Sequence, residues 1–549
     1  MASKLIIAFS RRIWFRAAGA AALAAVVSTL GTATADNLNI TYSTVSANAY
    51  GTSDINSCGI IRDNLTTYGG YQYAAFYDSN GNIVLGRRTS GATQWNLITT
   101  NYQISSSLLS DDHNVIAIGI DSNGYLHMSW GMHNQNLNYV ISKSSVTGKD
   151  WSGSSLAFTT LGTPVDPASG VDSNNNEVTY PEFYTTPSGD LLFSYRNGGM
   201  GGGSGNGNNY FDIYNPASRT WSQNFTINGE STSVNGYINR LAYSSTGKLM
   251  MSWTWRATPN WQTNSNIMFA QSTNNGSTWT TQSGVSEIAA SGGITQSTAQ
   301  IIETIPEGSS LINQSNMAVD RNSNPVIATW YAPGSLDGGS NNTRQYMLVY
   351  YNGANWQTSQ ITDRPAGEVY DSSGAYVRQL ARPIVLVDRQ DRVLVIMRYN
   401  NDVNPDGSPN ADGALPGKAA AAGGIVVAYS QLTTKNGISS LGTWDYITLD
   451  PTNLGQWEPT YDAALWQTSN ILDLFVEPVG LAGESSSTAQ VLQWNEAAYF
   501  GSVPEAPQAL LLASGLIGVP LLTRRCSTAP KHMKAQYRYG PSRKWSGKC

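Results

Sequence analysis

Histidine, cysteine and charge are all scarce in this chain. Its 549 residues include four histidines and three cysteines, and only 13% of the residues are charged. The cysteines are Cys58, Cys526 and Cys549, so two of the three lie close to the C-terminus. This distribution excludes a disulfide framework as the main support of the fold. Glycine, tyrosine and tryptophan are abundant instead, a composition typical of all-β extracellular proteins.

Net positive charge is missing from the central part of the chain. Residues 1–35 hold four basic and no acidic residues, and residues 504–549 hold eight basic residues and one acidic residue. The formal net charge of −5 therefore leaves −16 for residues 36–503. Such a balance gives no electrostatic footprint for nucleic acid, and an anionic substrate would need a locally basic cleft.

The first 35 residues have the three parts of a secretory signal. Arg11, Arg12 and Arg16 precede the apolar run AAGAAALAAVVSTLG, and the tripeptide ATA at 33–35 follows it as an A-x-A cleavage site. We therefore predict cleavage near Ala35 and a protein that is secreted or held in the bacterial cell envelope.

The segment 504–549 resembles a degenerate PEP-type bacterial sorting tail with a basic end. The motif PEAP at 504–507 is followed by the apolar run ALLLASGLIGVPLL and then by Arg524 and Arg525. A run of about 14 residues is short for a membrane span. Membrane contact is therefore expected only through this tail.

Between these ends the chain repeats a hairpin, with a spacing of roughly 45–70 residues that is typical of the blades of a β-propeller. The segment Ser272–Trp279 resembles an Asp-box turn, a further propeller feature, and NLNITYSTVSA near the start could close the ring against the last blade. We predict an all-β, seven-bladed β-propeller over residues 36–503. The seven hairpins are QYAAFYDSNGNIVLGRR, NVIAIGIDSNGYLHMSW, PEFYTTPSGDLLFSYR, NRLAYSSTGKLMMSWTWR, SNMAVDRNSNPVIATWY, RPIVLVDRQDRVLVIMRY and PTYDAALWQTSNILDLFVEP.

Three of the four histidines fall within one of these hairpins or beside it. His113 precedes its first strand and His133 follows its second, so the two are expected at the same end, while His127 lies within a strand and is expected to be structural. Imidazole is well suited to proton transfer near neutral pH. The alternative is that each histidine is a satisfied turn or core residue.

Polar residues at the equivalent ends of three consecutive blades extend this candidate site. In the third hairpin, Tyr180 precedes the first strand and Arg196 ends the second. In the fourth hairpin, Tyr237 and Arg256 lie at similar positions. The candidate residues from the three blades are His113, Asn114, His133, Tyr180, Arg196, Tyr237, Asn239, Arg240 and Arg256.

A set of histidine, tyrosine and arginine without a pair of facing carboxylates suits β-elimination on a uronate. Arginine can neutralise the carboxylate by bidentate pairing, which acidifies the neighbouring C–H. Tyrosine or histidine can then take the proton, and a tyrosine hydroxyl can protonate the leaving glycosidic oxygen. Neighbouring positive charge such as that of Arg196 would be needed to lower the pKa of Tyr180. Packed aromatic rings and a surface salt bridge remain the alternative explanation of these residues.

The motifs around these residues resemble the BNR-4 type propeller proteins and, within them, the ulvan lyases of polysaccharide lyase families twenty-four and twenty-five. The resemblance covers most of residues 55–500 and implies a seven-bladed propeller. It also implies cleavage of a sulfated algal polysaccharide that contains rhamnose 3-sulfate and a uronate. The motifs are DDHN at 111–114, GMH at 131–133, TYPEF at 179–183, LLFSYRNG at 191–198, NRLAY at 239–243 and SWTWR at 252–256.

The resemblance also implies residue roles. His113 corresponds to the catalytic histidine, Tyr180 to the tyrosine that acts as acid and base, and Arg196 to the arginine that neutralises the uronate. Whether His113 or Tyr180 is the base stays open. The remaining residues are expected to contact substrate: Asn114, His133, Tyr237, Arg240 and Arg256.

The expected partner is an anionic polysaccharide, and no nucleic acid. No cofactor is required by this chemistry and no zinc set is evident, since three histidines belong to one hairpin and Cys58 is isolated; a structural calcium ion is left open. Two other functions are also left open. One is a non-catalytic carbohydrate-binding propeller, and the other is a sialidase-like hydrolase with arginines drawn from Arg196, Arg240, Arg256 and Arg382.

Overall fold

A computed structural model describes residues 38–60, 63–153, 156–159, 177–198, 207–227, 234–289, 292–335, 343–364, 380–400, 422–481 and 485–501. The predicted secretory signal and the predicted sorting tail lie outside the described residues. No helix within the described ranges is long and apolar enough to cross a membrane.

Short antiparallel strands build almost all of the described structure. The chain starts with β1 (Ile40–Tyr50) and then forms three sheets, here called blades 1 to 3, in order along the sequence. Blade 1 contains β2 (Leu65–Tyr68), β3 (Tyr71–Tyr77), β4 (Asn82–Thr89) and β5 (Asn96–Gln103). Blade 2 contains β6 (Ile116–Ile120), β7 (Leu126–Trp130), β9 (Tyr139–Ser142) and β10 (Phe158–Thr159); blade 3 contains β8 (His133–Gln135), β11 (Val178–Thr185), β12 (Leu191–Asn197), β13 (Asn208–Asn215) and β14 (Thr220–Ile227).

Four further sheets, blades 4 to 7, follow the same plan. Blade 4 contains β15 (Asn235–Tyr243), β16 (Leu249–Arg256), β17 (Asn264–Ser272) and β18 (Gln300–Glu303); blade 5 contains β19 (Asn316–Val319), β20 (Pro325–Tyr331), β21 (Gln345–Tyr351) and β22 (Trp356–Gln360). Blade 6 contains β23 (Ile384–Val387), β24 (Arg392–Asn400), β25 (Ala422–Lys435), β26 (Ile438–Leu441) and β27 (Asp445–Asp450). Blade 7 contains β28 (Thr460–Tyr461), β29 (Ile471–Val476) and β30 (Ser486–Asn495), with the helices α1 (Ala463–Ser469) and α2 (Glu496–Phe500) at its ends.

The seven sheets form a ring. The first strands of neighbouring blades lie against one another: β2 against β6, β6 against β11, β15 against β19, β19 against β23, and β28 against β2. The N-terminal strand β1 pairs with β30 as the fourth strand of blade 7, so one sheet joins the two ends of the chain. The structure therefore confirms the seven-bladed propeller and the closing role of the segment around residues 38–48.

The hydrophobic core of the described residues is divided into seven clusters, one between each pair of adjacent blades. Alternate residues of one strand belong to two different clusters. In β24, Leu394 and Ile396 face blade 7. Val393 and Val395 of the same strand face blade 5. A strand buried on both faces needs apolar residues at successive positions. This is why hairpins such as the one at 382–399 contain almost continuous apolar runs.

Two blades depart from the predicted hairpins. In blade 1 the predicted hairpin is β3–β4, the second and third strands, because the short polar strand β2 lies before it. In blade 7 the expected turn is the helix α1, which Asp462 caps by accepting a hydrogen bond from Leu465 N. Both differences arise where the first strand has little apolar pattern: β2 (LTTY) is mostly polar, and β28 is two residues long.

Buried Glu477 lies at the seam between blade 7 and blade 1. Its Oε1 accepts a hydrogen bond from the hydroxyl of Ser487 in β30, at 2.8 Å, and Asn56 also contacts it. Burial raises the pKa of Glu477 to about 8. The native chain therefore binds this proton more tightly than the unfolded chain does.

This difference predicts that the ring loses stability as the pH rises. The stabilisation by the proton is complete below the unfolded pKa, near the ordinary value of 4.5, and falls as the pH approaches 8. The free energy of unfolding of the parent should therefore fall between pH 5 and pH 8, whereas that of Glu477→Gln should not. Measured by urea unfolding, the difference between variant and parent is expected to shift by roughly 2–4 kcal/mol in favour of the variant over this range. Glu307 is exposed, so Glu307→Gln is the control and should show the same pH dependence of stability as the parent. The prediction is contradicted if Glu477→Gln and the parent also show the same pH dependence.

Candidate functional site

The candidate residues of blades 2 and 3 meet where three strands lie side by side. Thr179 of β11 is opposite His133 of β8 on one side and opposite Arg196 of β12 on the other. The strand β8 leaves blade 2 and pairs with blade 3. This pairing carries His133 to the neighbouring blade, and the hairpin pattern gives no sign of it.

His113 and His133 are held together by one carboxylate. The Nδ1 atoms of the two rings each lie 2.7 Å from a different oxygen of Asp111. The rings are stacked, with centroids 4.0 Å apart and planes within 8°. The structure therefore brings the two histidines together at one end of the hairpin, as their sequence positions predict.

Asp111 determines which ring nitrogens carry protons. Although burial opposes ionisation, hydrogen bonds from the two histidines hold the pKa of Asp111 well below its usual range. An ionised carboxylate only accepts hydrogen bonds, so both Nδ1 atoms must donate. In the neutral ring of His113, Nε2 is then the unprotonated nitrogen and can accept a proton. Asp111 was not predicted, although it is part of the DDHN motif.

Tyr180 lies beside His113 in an unusual backbone conformation. Its φ is +62°, at an irregularity of β11 between Thr179 and Glu182. Bulges of this kind turn a side chain out of the regular alternation of a strand, and a bulky residue in the left-handed region is strained. The rings of Tyr180 and His113 have centroids 5.7 Å apart. The strain is thus located at a residue whose side chain faces the histidine pair.

Arginine side chains surround the half-buried Tyr180. The guanidinium carbon of Arg196 lies 4.9 Å from the ring centre. Burial raises the pKa of Tyr180 to about 12, although the positive charges of Arg196, Arg256 and Arg382 lower it. Tyr180 is therefore protonated at neutral pH and can donate a proton. Arg382 pairs with Glu458, so the positive charge near Tyr180 comes mainly from Arg196 and Arg256.

Arg196 is almost wholly buried, with 1% of its surface exposed. Its Nη1 donates to the hydroxyl of Tyr237 at 3.0 Å, and its Nη2 donates to Asn134 Oδ1 at 2.9 Å. Within the described part of the chain, Nε has no hydrogen-bond acceptor. Arg196 thus acts on the site through its charge, and a substrate carboxylate must replace one of its present acceptors to pair with it directly.

Tyr237 and Arg256 complete the group. The hydroxyl of Tyr237 lies 3.5 Å from Arg256 Nη1, and the ring of Tyr237 contacts that of Tyr180 edge to face at 6.0 Å. Tyr237 is 2% exposed and contacts both arginines. Arg256 is half-buried, and its Nε and Nη2 donate to the backbone oxygens of Thr258 and Pro259.

Two residues expected to contact substrate have other roles. Asn114 is fully buried, and its Nδ2 donates to Leu108 O at 3.2 Å, which holds the loop beneath the histidines. Arg240 is also buried and pairs with Glu182. In the structure both side chains have partners within the protein, and their contact with substrate stays a prediction. His127 is buried against the Tyr139 hydroxyl, 2.7 Å away, as its position within the strand predicts.

Two sets of described side chains could supply metal ligands. The ligand atoms of Asp111, His113 and His133 lie within 4.8 Å of one another, and so do those of a second set, Asp54, Cys58 and Asp112. Cys58 is therefore not isolated, contrary to expectation. In the first set both histidine Nδ1 atoms are protonated toward Asp111, and an ion at this position requires those protons to leave.

Asp111→Asn tests whether this carboxylate positions the histidines. An amide has one acceptor oxygen in place of two, so one imidazole loses its hydrogen bond and its fixed tautomer. For the activity proposed below, we expect kcat to fall about 10- to 100-fold with little change in KM, similar to the loss of the carboxylates that orient metal-bound histidines. Asp190→Asn, at a turn of blade 3, is the control. Equal loss in both variants would show a general effect on folding.

Comparisons with known proteins agree with the fold. The model of the BNR repeat-containing family matches residues 71–364. No curated protein matches the sequence.

Several solved structures are similar. The polysaccharide lyase Uly1 has a TM-score of 0.57 at 13% identity, over 83% of this chain and 99% of that one. A PL25 ulvan lyase has a TM-score of 0.50 at 11% identity, over 84% and 99%. An α-L-arabinanase from Penicillium chrysogenum, complexed with arabinobiose, has a TM-score of 0.38 at 12% identity, over 69% and 92%. At these identities the likeness is one of fold.

Proposed function

The chain belongs to the BNR repeat-containing family, and from the site in its propeller we propose that it is a polysaccharide lyase. Its substrate would be a uronate-containing sulfated polysaccharide of the ulvan type, cleaved by β-elimination to leave an unsaturated uronate. The observation that carries the proposal is the arrangement of His113, Tyr180 and Arg196. A proton acceptor, a proton donor and a neutralising charge lie side by side: the Tyr180 ring centre is 5.7 Å from that of His113 and 4.9 Å from the guanidinium carbon of Arg196.

The first step is removal of the proton next to the uronate carboxylate. Positive charge from Arg196 and Arg256 stabilises the enolate-like anion that forms as this proton leaves. His113 accepts the proton at Nε2, because Asp111 keeps the proton of the neutral ring on Nδ1. The Asp111 carboxylate then stabilises the resulting imidazolium.

The second step is departure of the glycosidic oxygen. Tyr180 is protonated at neutral pH and donates its hydroxyl proton to this oxygen as the bond to carbon breaks. The positive charges near its ring stabilise the tyrosinate left behind. The sugar ring is left with a carbon–carbon double bond conjugated to the carboxylate. Tyr180 takes a proton from solvent and the imidazolium of His113 releases one to solvent, which restores both groups.

The two alternative functions fit the geometry less well. Hydrolysis by two carboxylates needs a free facing pair, but Glu182 pairs with Arg240 and Glu458 pairs with Arg382. A binding propeller needs no histidine pair ordered by an ionised carboxylate. Of the two, the binding propeller retains support from the acidic charge of the chain.

Ultraviolet absorbance distinguishes these functions, since elimination creates a conjugated double bond and hydrolysis does not. The purified protein is incubated with ulvan, with other uronate polymers and with a sialoside. We expect absorbance to grow with ulvan or another uronate polymer and to stay flat with the sialoside. A flat trace on every uronate polymer, from folded protein that still binds glycan, contradicts the lyase and leaves the binding propeller.

A further inference from the structure

Asn134 lies between the buried charge of Arg196 and the surface. Arg196 donates hydrogen bonds to Asn134 Oδ1 at 2.9 Å, to the hydroxyl of Tyr237 at 3.0 Å and to Thr179 Oγ1 at 3.2 Å. Arg196, Thr179 and Tyr237 are at most 2% exposed, whereas Asn134 is half-buried. Of the three acceptors, Asn134 is therefore the one that a ligand can reach.

The hydrogen bonds of Asn134 fix the direction of its amide group. A guanidinium group only donates, so the side-chain atom of Asn134 that faces Arg196 must be the oxygen. The hydroxyl of Thr179 also donates to this oxygen, at 3.1 Å. The NH2 group is then on the side away from Arg196, and within the described part of the chain it has no acceptor. Its two N–H donors are left for a ligand.

A bulge in β8 gives Asn134 this position. The pairing of β8 with β11 passes over it, because the residues on its two sides are opposite Thr179 and Val178. A bulge interrupts the alternation of side chains along a strand, so neighbouring residues need not face opposite sides. His133 can therefore belong to the histidine pair while the next residue, Asn134, contacts Arg196.

The backbone at Asn134 favours glycine. Its φ is +55°, in the left-handed region, where side chains are strained and asparagine is tolerated better than most residues. Tyr180 on the neighbouring strand β11 has the same feature, with a φ of +62°. Side chains held on a strained backbone are concentrated at functional sites. Two of them contact Arg196 here, which indicates that the amide of Asn134 has a role beyond the bulge.

A uronate carboxylate is the ligand that this amide fits. A carboxylate only accepts hydrogen bonds, and the NH2 group of Asn134 only donates them. The bond from Arg196 to the amide oxygen polarises the amide and makes its N–H groups stronger donors. As the proton next to the carboxylate leaves, negative charge moves onto the carboxylate oxygens. A hydrogen bond to these oxygens is therefore stronger in the transition state than in the bound substrate.

We propose that the NH2 group of Asn134 binds the carboxylate of the reacting uronate and transmits the charge of Arg196 to it. The inference rests on the proposed function, since it takes a uronate as the substrate. It makes Asn134 a further catalytic residue. It also explains how Arg196, with 1% of its surface exposed, acts on the substrate while it keeps its present hydrogen bonds.

Binding to an inactive protein tests this contact apart from catalysis. The probes are sulfated tetrasaccharides of a rhamnose–glucuronate polymer and the same tetrasaccharides with each carboxylate reduced to a primary alcohol. Calorimetry is done on the full chain with Tyr180→Phe, alone and with Asn134→Gly added. Glycine removes the amide and keeps the left-handed backbone. Asn436→Gly, at an exposed asparagine with a φ of +53°, is the matched control.

We expect the protein with Tyr180→Phe alone to bind the carboxylate probe about 10- to 100-fold more tightly than the reduced probe, the value of a hydrogen bond to a charged group. Asn134→Gly should remove most of this preference and leave the affinity for the reduced probe unchanged. Asn436→Gly should keep the preference. An undiminished preference with Asn134→Gly, or no preference in the protein with Tyr180→Phe alone, overturns the proposal.

Asn134→Asp in the active chain separates contact with substrate from a structural role. Aspartate keeps an oxygen for Arg196 and replaces the NH2 group with a second oxygen, which repels the uronate. We expect kcat/KM for double-bond formation to fall about 10²- to 10³-fold, at least as far as with Asn134→Gly. Activity equal to that of the parent contradicts the proposal, because Asn134 then only holds Arg196 in place. If the parent forms no unsaturated product while the carboxylate preference depends on Asn134, the lyase proposal fails and the carboxylate contact stands.

Discussion

Replacing Tyr180 with phenylalanine is expected to lower kcat by about 10²- to 10⁴-fold, the usual value of one acid–base group. Phenylalanine keeps the ring between His113 and Tyr237 and loses only the hydroxyl that protonates the leaving oxygen. The measurement is the rate of double-bond formation on a uronate polymer that the parent cleaves. KM should change little, because the packing and the arginines remain.

A matched control for this variant is Tyr125→Phe. Tyr125 is also half-buried beneath an arginine, with Arg219 4.5 Å from its ring centre, and lies outside the group. It should keep the activity of the parent. Similar rates for Tyr180→Phe and Tyr125→Phe would remove Tyr180 from the mechanism.

The pH profile separates the two roles of Tyr180. If its tyrosinate were the base, kcat/KM would climb tenfold per pH unit toward the pKa of about 12. As the acid, Tyr180 stays protonated between pH 8 and 10, and we expect no such climb. A slope of one across this range would make Tyr180 the base in place of His113.

Replacing Arg196 with glutamine is expected to lower kcat by about 10²- to 10³-fold, the usual cost of removing one preorganised stabilising group. The positive charge of Arg196 lowers the pKa of Tyr180, against the effect of burial. The same charge stabilises the anion formed in the first step. Without this charge the pKa of Tyr180 rises further, so that it becomes a weaker acid. Both effects slow the chemical step.

Arg196 is buried, so its variants need a test of folding. Arg196→Lys keeps the charge but loses the fork that donates to Tyr237 and Asn134. It should lie between the parent and Arg196→Gln in kcat if charge is the main contribution. Circular dichroism and thermal unfolding identify any variant that fails to fold. Arg219→Gln is the matched control, because Arg219 lies over the ring of Tyr125, outside the site. Equal rates for folded Arg196→Gln and the parent contradict the assignment.

The strand pattern was sufficient for most of the fold. Polar turns such as DSNG and PSGD recur in the first six hairpins, and each turn needs the same local hydrogen bonds, so local sequence can specify them. The first strands of blade 1 and blade 7 could not be predicted in this way. The strand β2 (LTTY) is mostly polar, and β28 is only two residues long; the four-residue strands β19 and β23, which are mostly apolar, were predicted.

The site was partly predictable for the same reason. His113, His133, Tyr180 and Arg196 occupy equivalent blade ends, and blades of one ring bring such ends together. The sequence did not show that Asp111 bridges the histidines or that Asn134 accepts from Arg196. It also did not show that Asn114 and Arg240 face inward. These depend on side-chain direction at a bulge or in a loop, which spacing alone does not determine.

By itself, then, the sequence determined the repeating hairpins, the number of blades and the residue types available at the blade ends, because these follow from local turn chemistry and alternation. Only the tertiary structure decided which of those residues meet. The pairing of β8 with blade 3 places His133 opposite Thr179. The left-handed backbone conformation of Tyr180 within β11 turns its ring toward His113. Such contacts join residues far apart in the chain, and their geometry depends on how neighbouring blades pack.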